Sequence, residues 1–281
     1  MANVDRSPKQ SLAVAAVNAW RSGAASAALQ SHPDELAVEE PLEIRVAGEP
    51  LAVTMRTPGH DHELVAGFLL AEGLIRSRAD LGGIHHCARP GTEGAHNTID
   101  VLPAPGAVFE VEATRRGTLT TSACGMCGRK LIDDLSERLR PASPSAPFSR
   151  SFIAGLSAEL GKRQPSFQRT GGLHGVGIAR ETEGFCVVRE DVGRHNAVDK
   201  AIGRLLLDDR LPALGAVLVV SGRTSFEIVQ KALAAGLSGV VGVSAPSSLA
   251  VSTAARFGLL LCGFARGEAF NVYAGAERLA G

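Results

Sequence analysis

The second half of the chain alternates two kinds of segment, and that alternation restricts the fold more than any other feature. "FCVVRE", "GAVLVVSG", "GVVGVSA" and "LLLCGFARG" are short, apolar and rich in β-branched residues. Between them lie "NAVDKAIGRLLL", "SFEIVQKALAAGL" and "SLAVSTAARFG", which carry apolar residues at helical spacing. A strand that is apolar on both sides must be covered on both faces, so this rhythm predicts an α/β fold with a mainly parallel sheet between helices.

The first half is patterned differently. "EEPLEIRVAGEPLAVTMRTPG" predicts a β-hairpin, with Leu42, Ile44 and Val46 on one face, a turn over 48–50, and Leu51, Val53 and Met55 answering. Pro41 suits an edge or first strand position. "HDHELVAGFLLAEGLI" places Leu64, Phe68, Leu69 and Leu74 at helical spacing, with Asp61 as the expected N-cap. Short strands are expected over 99–102 and 108–111. A helix with Leu131, Ile132, Leu135 and Leu139 on one face follows, and "PASPSAPFSR" over 141–150 reads as a linker. The N-terminal "SLAVAAVNAW" follows Arg6 and Lys9 as a signal peptide would, but Asn18 and Arg21 interrupt its apolar run. An Ala-rich tail or marginal helix is the better reading. The expected organisation is a tail over 1–35, a β-hairpin and helix part over 36–140, and an α/β domain over 151–281.

Charge and cysteine content exclude several classes of function. The chain has 29 basic and 29 acidic residues among 281, so no global field draws it to nucleic acid or an anionic membrane. No apolar run reaches the roughly 20 residues of a transmembrane helix. Five cysteines is too odd a count for a disulfide framework and points to a reducing, cytoplasmic setting.

In an open α/β sheet, ligands bind beyond the carboxyl ends of the strands. Two exits resemble each other here: Ser221-Gly222-Arg223-Thr224-Ser225 and Ser244-Ala245-Pro246-Ser247-Ser248. Each leads into a helix, whose free N–H groups favour anions, and Arg223 adds charge. Ser225 and Ser247 are equally readable as simple helix caps. At a third exit, "VREDVGRHNAVDK" gathers Arg189, Glu190, Asp191, Arg194, His195, Asn196, Asp199 and Lys200, as either a functional cluster or a surface ion-pair network. "GFARGEAFNVY" combines Phe264, Arg266 and Gly267, which could hold a ring and its phosphates or form a tight turn between two strands. "GGLHGVG" is not a dinucleotide fingerprint, and "HDHEL" is not the H-E-x-x-H of zinc proteases.

"TTSACGMCGRKL" contains the single C-x-x-C, Cys124 and Cys127. A structural zinc site needs four ligands, and His85, His86 and Cys87 offer an irregularly spaced complement in a Gly-rich stretch expected to be loop. The chain contains no H-x-E, which excludes a zinc deaminase. Cys124 precedes an expected helix, whose dipole favours a thiolate, and Gly125 and Gly128 leave the loop free to move. Redox cycling and sulfur transfer both suit such a pair. Cys186 and Cys262 fall in apolar strands and read as packing residues.

Seven stretches, taken in order, resemble the FdhD/NarQ family of formate dehydrogenase accessory sulfurtransferases. They are "MRTPGHDHELVAGFLLAEGLI", "SACGMCGRK", "TGGLHGVGIA", "VREDVGRHNAVDKAIG", "VSGRTSFEIVQKA", "VSAPSSLAV" and "GFARGEAFNVY". The resemblance implies a three-layer α/β/α domain like that of cytidine deaminases, with a smaller N-terminal part, and a homodimer. It also implies that a cysteine desulfurase donates persulfide sulfur to Cys124, with Cys127 assisting its transfer or release. The sulfur would pass to the molybdenum bis(molybdopterin guanine dinucleotide) cofactor of a formate dehydrogenase catalytic subunit. That cofactor is a bound substrate, and no structural metal is implied. Phe264, Ala265, Arg266, Gly267, Glu268 and Ala269 would bind it, and Arg223 could take its pyrophosphate. The competing readings are a non-catalytic cofactor chaperone and a thioredoxin-like reductase.

Overall fold

In a computed structural model the protein is described over residues 13–21, 29–87, 96–110, 139–142 and 145–280. The two cysteines of the C-x-x-C, the helix expected after them and the strand end at Val111 lie outside these residues.

The expected α/β domain is a six-stranded sheet. In chain order its strands are β7 (His174–Arg180), β8 (Gly184–Asp191), β9 (Ala216–Val220), β10 (Gly239–Gly242), β11 (Leu260–Arg266) and β12 (Ala269–Ala274). In space they run β12-β11-β10-β9-β7-β8. β9, β10 and β11 are mutually parallel, whereas β7 and β12 are antiparallel to their neighbours. β8 therefore runs parallel to the central three, with β7 inserted between it and β9. β7 reads poorly as a strand because Gly175 and Gly177 interrupt it. Those glycines are needed: a Cβ on Gly177 would lie 2.3 Å from the Phe185 ring, and one on Gly175 would collide with Gln164.

Helices α4 (Arg194–Leu207), α5 (Phe226–Ala234) and α6 (Ser248–Phe257) connect the parallel strands. Their apolar faces share one core with Val176, Ile178, Leu218, Val220, Val240 and Leu261 of the sheet. The opposite face packs Val217, Val219, Val241 and Cys262 against Ile153, Leu156 and Leu160 of α2 (Arg150–Lys162). The sheet is thus covered on both faces. Ser149 caps α2 by accepting from the Phe152 N–H at 3.2 Å. The stretch expected as a linker is anchored where it is described. The Phe148 N–H donates to the Arg278 carbonyl, and the Ala142 N–H to that of Phe257. A short α3 (Pro165–Thr170) precedes β7.

The N-terminal part has its own four-stranded sheet, ordered β4-β3-β6-β5, from β3 (Glu40–Val46), β4 (Glu49–Arg56), β5 (Leu81–His86) and β6 (Thr98–Pro103). The predicted hairpin forms, with Ala47 and Gly48 both at positive φ in its turn. A bulge between Ile44 and Arg45 breaks the expected alternation, so Val53 and Met55 point to solvent while Leu51 is buried. Pro41 lies beyond the part of β3 that pairs with β6, which starts at Glu43. Residues 81–86, expected as loop, form β5, and residues 108–110, expected as strand, are irregular. The tail reading is also corrected, since β1 (Val14–Arg21) and β2 (Gln30–Ala37) pair along their whole length as an antiparallel ribbon. β2 is tied to α3 by the Glu35–Arg169 ion pair. Among the described residues no helix is long and apolar enough to cross a membrane.

Helix α1 (Asp61–Ala71) joins the two sheets by crossing α4. Asp61 is its first residue, not its cap. His60 takes the cap position in a left-handed conformation, and Asp61 binds Arg56 through both carboxylate oxygens at 3.0 and 3.1 Å. At the crossing the backbones touch. A Cβ on Gly67 would lie 2.0 Å from the Asp199 carbonyl oxygen, and one on Gly203 would lie 1.8 Å from that of Glu63. Glu63 also takes Arg189 across the interface at 2.8 Å. Burial opposes its charge, but hydrogen bonds from Arg189 and His60 win and lower its pKa to about 2.

Alanine at a free helical site gains up to about 1 kcal/mol over glycine. Here the added methyl meets backbone on the facing helix, so Gly203→Ala is expected to cost about 3 kcal/mol or more. Urea denaturation measures this, and a stabilised variant would show that the helices are not pressed together.

Candidate functional site

The four parallel strands end on one edge of the sheet, and the antiparallel β7 begins there. The expected exits after β9, β10 and β11 therefore come together. The Thr224 N–H donates to the Ala245 carbonyl and the Ser247 N–H to that of Thr224, which zips the β9 and β10 exits. The Phe264 N–H donates to the Ser244 carbonyl at 3.2 Å and adds the β11 exit. Gly263 permits this approach, since a Cβ there would sit 3.0 Å from the Pro246 ring. β7 is tied in by the Ser221 N–H to the Gly175 carbonyl and by the Gly175 N–H to Ser221 Oγ.

Structure separates the two serines that the sequence could not. Ser247 is a cap, accepting the Ala250 N–H at 3.2 Å. Ser225 occupies the N-cap position of α5 without capping it. Its hydroxyl donates to Glu227 at 3.0 Å and stands 3.2 Å from His195 Nε2. His195 Nε2 lies 2.9 Å from the Glu227 carboxylate. That contact, led by the His195 hydrogen bond, lowers the Glu227 pKa to about 2 and keeps the carboxylate charged.

The dense charge cluster also divides. Asp191 is fully buried and binds Lys200 at 2.6 Å, the Thr57 N–H at 3.1 Å and the Gly193 N–H at 2.8 Å. Lys200 donates in turn to the Thr57 carbonyl. Asp199 binds Lys231 of α5 at 2.7 Å, although burial raises its pKa. Asp191, Asp199, Lys200 and Arg189 therefore serve the scaffold, joining β8 to α4 and α1, and α4 to α5. Arg194 and His195 remain at the strand exits, and Arg194 Nε is buried without a hydrogen-bond partner.

Of the expected cofactor residues, Phe264 ends the exposed rim, 46% accessible and with its backbone at φ 53°. Arg223 is exposed in the β9 exit, with the β10 exit between it and Phe264. Arg266, Gly267, Glu268 and Ala269 form the exposed β11–β12 turn, so the tight-turn reading describes their backbone. Ala265 points the other way, fully buried in the core under α2, and offers only backbone to a ligand.

Two participants were not legible. His174 stands beside Gly222, where a Cβ would sit 3.2 Å from its Nδ1. Burial first, then nearby Arg194 and His195, lowers its pKa and favours the neutral ring. It lies in "GGLHGVG", where no spacing to another polar residue marks the histidine. Glu227 could have been read only as a first-turn acid of α5. Together, two helix N-termini, Arg194, Arg223 and an exposed aromatic ring can bind a planar group with anionic substituents.

Residues 37–280 match the model of the FdhD/NarQ family. This chain belongs to the FdhD/NarQ family. Curated relatives called sulfur carrier protein FdhD include one from Anaeromyxobacter dehalogenans, 51% identical over 255 residues that cover 88% of each chain. One from Streptomyces coelicolor is 48% identical over 258 residues, 90% of this chain and 92% of the other. The Mycobacterium tuberculosis relative is 46% identical over 257 residues, 89% and 93% of the two chains. A crystal structure from Desulfotalea psychrophila, provisionally assigned as a formate dehydrogenase accessory protein, shares the fold with a TM-score of 0.73. It is 24% identical, and the match covers 94% of this chain and 99% of that one.

The remaining thiols differ in reactivity by position. Cys262 is fully buried, and burial alone pushes its pKa up to about 12. Cys87 is exposed at the end of β5. In a chain carrying Cys124→Ser and Cys127→Ser, Ellman's reagent is expected to modify Cys87 in the native protein and Cys262 only after denaturation. Native labelling of Cys262 would contradict its burial.

Proposed function

We propose that this chain is a sulfur carrier that takes persulfide sulfur onto Cys124 from a cysteine desulfurase and delivers it to the molybdenum bis(molybdopterin guanine dinucleotide) cofactor of a formate dehydrogenase. The observation that carries this reading is family membership across residues 37–280, a span that includes both the C-x-x-C and the joined strand exits. The relatives' names support the sulfur-carrying half.

The chemistry is that of thiol exchange. Cys124 thiolate attacks the outer sulfur of the donor persulfide, and the desulfurase thiolate leaves. Cys127 thiolate then attacks the inner sulfur of the Cys124 persulfide. A Cys124–Cys127 disulfide forms, and the outer sulfur departs with two electrons as sulfide for the cofactor. A dithiol reductant resets the pair. The cofactor is the substrate. Its guanine dinucleotide end suits the strand exits, where Arg223, Arg194 and the α5 and α6 N-termini face the phosphates and Phe264 offers a ring. Cytoplasmic location and homodimerisation belong to the same reading.

Incubation with a cysteine desulfurase and cysteine is expected to add one sulfur atom to Cys124, read by mass spectrometry. Formate dehydrogenase matured with Cys124→Ala should lack its terminal sulfur. Full sulfur content there would leave only a cofactor chaperone. Separately, Arg223→Ala is expected to weaken GDP binding at least ~tenfold by calorimetry, through loss of a charge-assisted hydrogen bond to phosphate. Unchanged affinity would move the nucleotide away from this edge.

A further inference from the structure

A second polar cluster lies where α1 begins against β5 and β6, apart from the strand exits. His62 is in the first turn of α1 and His86 ends β5, and their rings stand edge-on with centres 5.4 Å apart. His96, just ahead of β6, meets the same His86 ring edge-on at 5.3 Å. Asp61 is the fourth member, with Oδ2 3.7 Å from His86 Nε2. That separation is too long for a hydrogen bond.

These spacings have a simple interpretation. Two imidazoles bound at about 2.0–2.1 Å to one tetrahedral ion stand with ring centres roughly 5 Å apart, and any two of the ion's donor atoms lie roughly 3.4 Å apart. Both histidine pairs fit the first figure, and His86 with Asp61 is close to the second. The charge also suits a cation. Arg56 is buried beside Asp61 but is paired with both Asp61 and Glu40, so the three groups sum to one negative charge. His62 and His96 are exposed at the surface, so an ion reaches the cluster from solvent. Among the described residues no three such donors stand close enough together, as their side chains are placed, to hold a metal ion. Rotation of these two exposed rings closes the cluster.

We propose that His62, His86 and His96, together with Asp61, bind a divalent transition metal of the zinc class. The contiguous His85-His86-Cys87 set weighed from sequence is a different one. β5 alternates, so His85 lies back over Gly83 while His86 turns towards α1. Burial is the main cause that lowers the His86 pKa, with Asp61 opposing it and His62 and His96 adding to it. The site does not depend on the sulfur-carrying cysteines.

The test uses the full chain carrying Cys124→Ser and Cys127→Ser, titrated with zinc by calorimetry and with cobalt by visible absorption. One equivalent of metal is expected, with the absorption of tetrahedral cobalt lacking thiolate bands. The exposed variants His62→Ala and His96→Ala should keep the native circular dichroism and each lose at least ~tenfold in affinity. His86→Ala should lose more. The absence of stoichiometric zinc binding, or affinity unchanged in His62→Ala and His96→Ala, would overturn the proposal and leave an imidazole cluster with a packing role.

Discussion

Gly67 on α1 and Gly203 on α4 bring two helix backbones into contact, and the position of the four-stranded sheet against the six-stranded one depends on that contact. With no Cβ on either residue, the Asp199 and Glu63 carbonyls occupy the space side chains would need. The close crossing lets Leu64 and Val65 of α1 share one core with Val198 and Ile202 of α4. It also puts Glu63 within reach of Arg189 on β8 and the segment around Thr57 within reach of Asp191. A looser crossing would strand these charges away from water without partners, at a cost of several kcal/mol each.

The buried ions then shape the functional edge. Asp191 sits at the end of β8 with four partners, so the backbone entering α4 is fixed where Arg194 and His195 project. Lys231 and Asp199 fix α5 against α4, which sets Ser225 and Glu227 beside His195. The strand exits are positioned from behind by charge pairs that meet no ligand. A cluster that reads in sequence as one site is therefore a scaffold and a site in succession.

Family membership and geometry bear on different halves of the proposed function. The match over 37–280 establishes the family and spans the cysteine pair. The geometry describes the surface on which a large anionic substrate would rest while sulfur is delivered.

The α/β domain was legible because a strand buried on both faces must be apolar throughout, and a helix over it must be apolar every three or four residues. The β3–β4 hairpin and α1 were legible by the same rule, and the strand exits followed from the parallel sheet. Those periodicities are local, so sequence alone determined the layers, the edge where chemistry belongs and the candidate residues Arg223 and Phe264. It did not determine β7, whose glycines exist to accommodate Phe185 and Gln164, residues that approach only in the folded chain. Nor did it reveal that β1 and β2 pair, that Ser225 serves His195 and not its helix, or that Ala265 faces inward. Each of these was decided by contacts between segments distant in sequence, and no periodicity within a single segment encodes its partner.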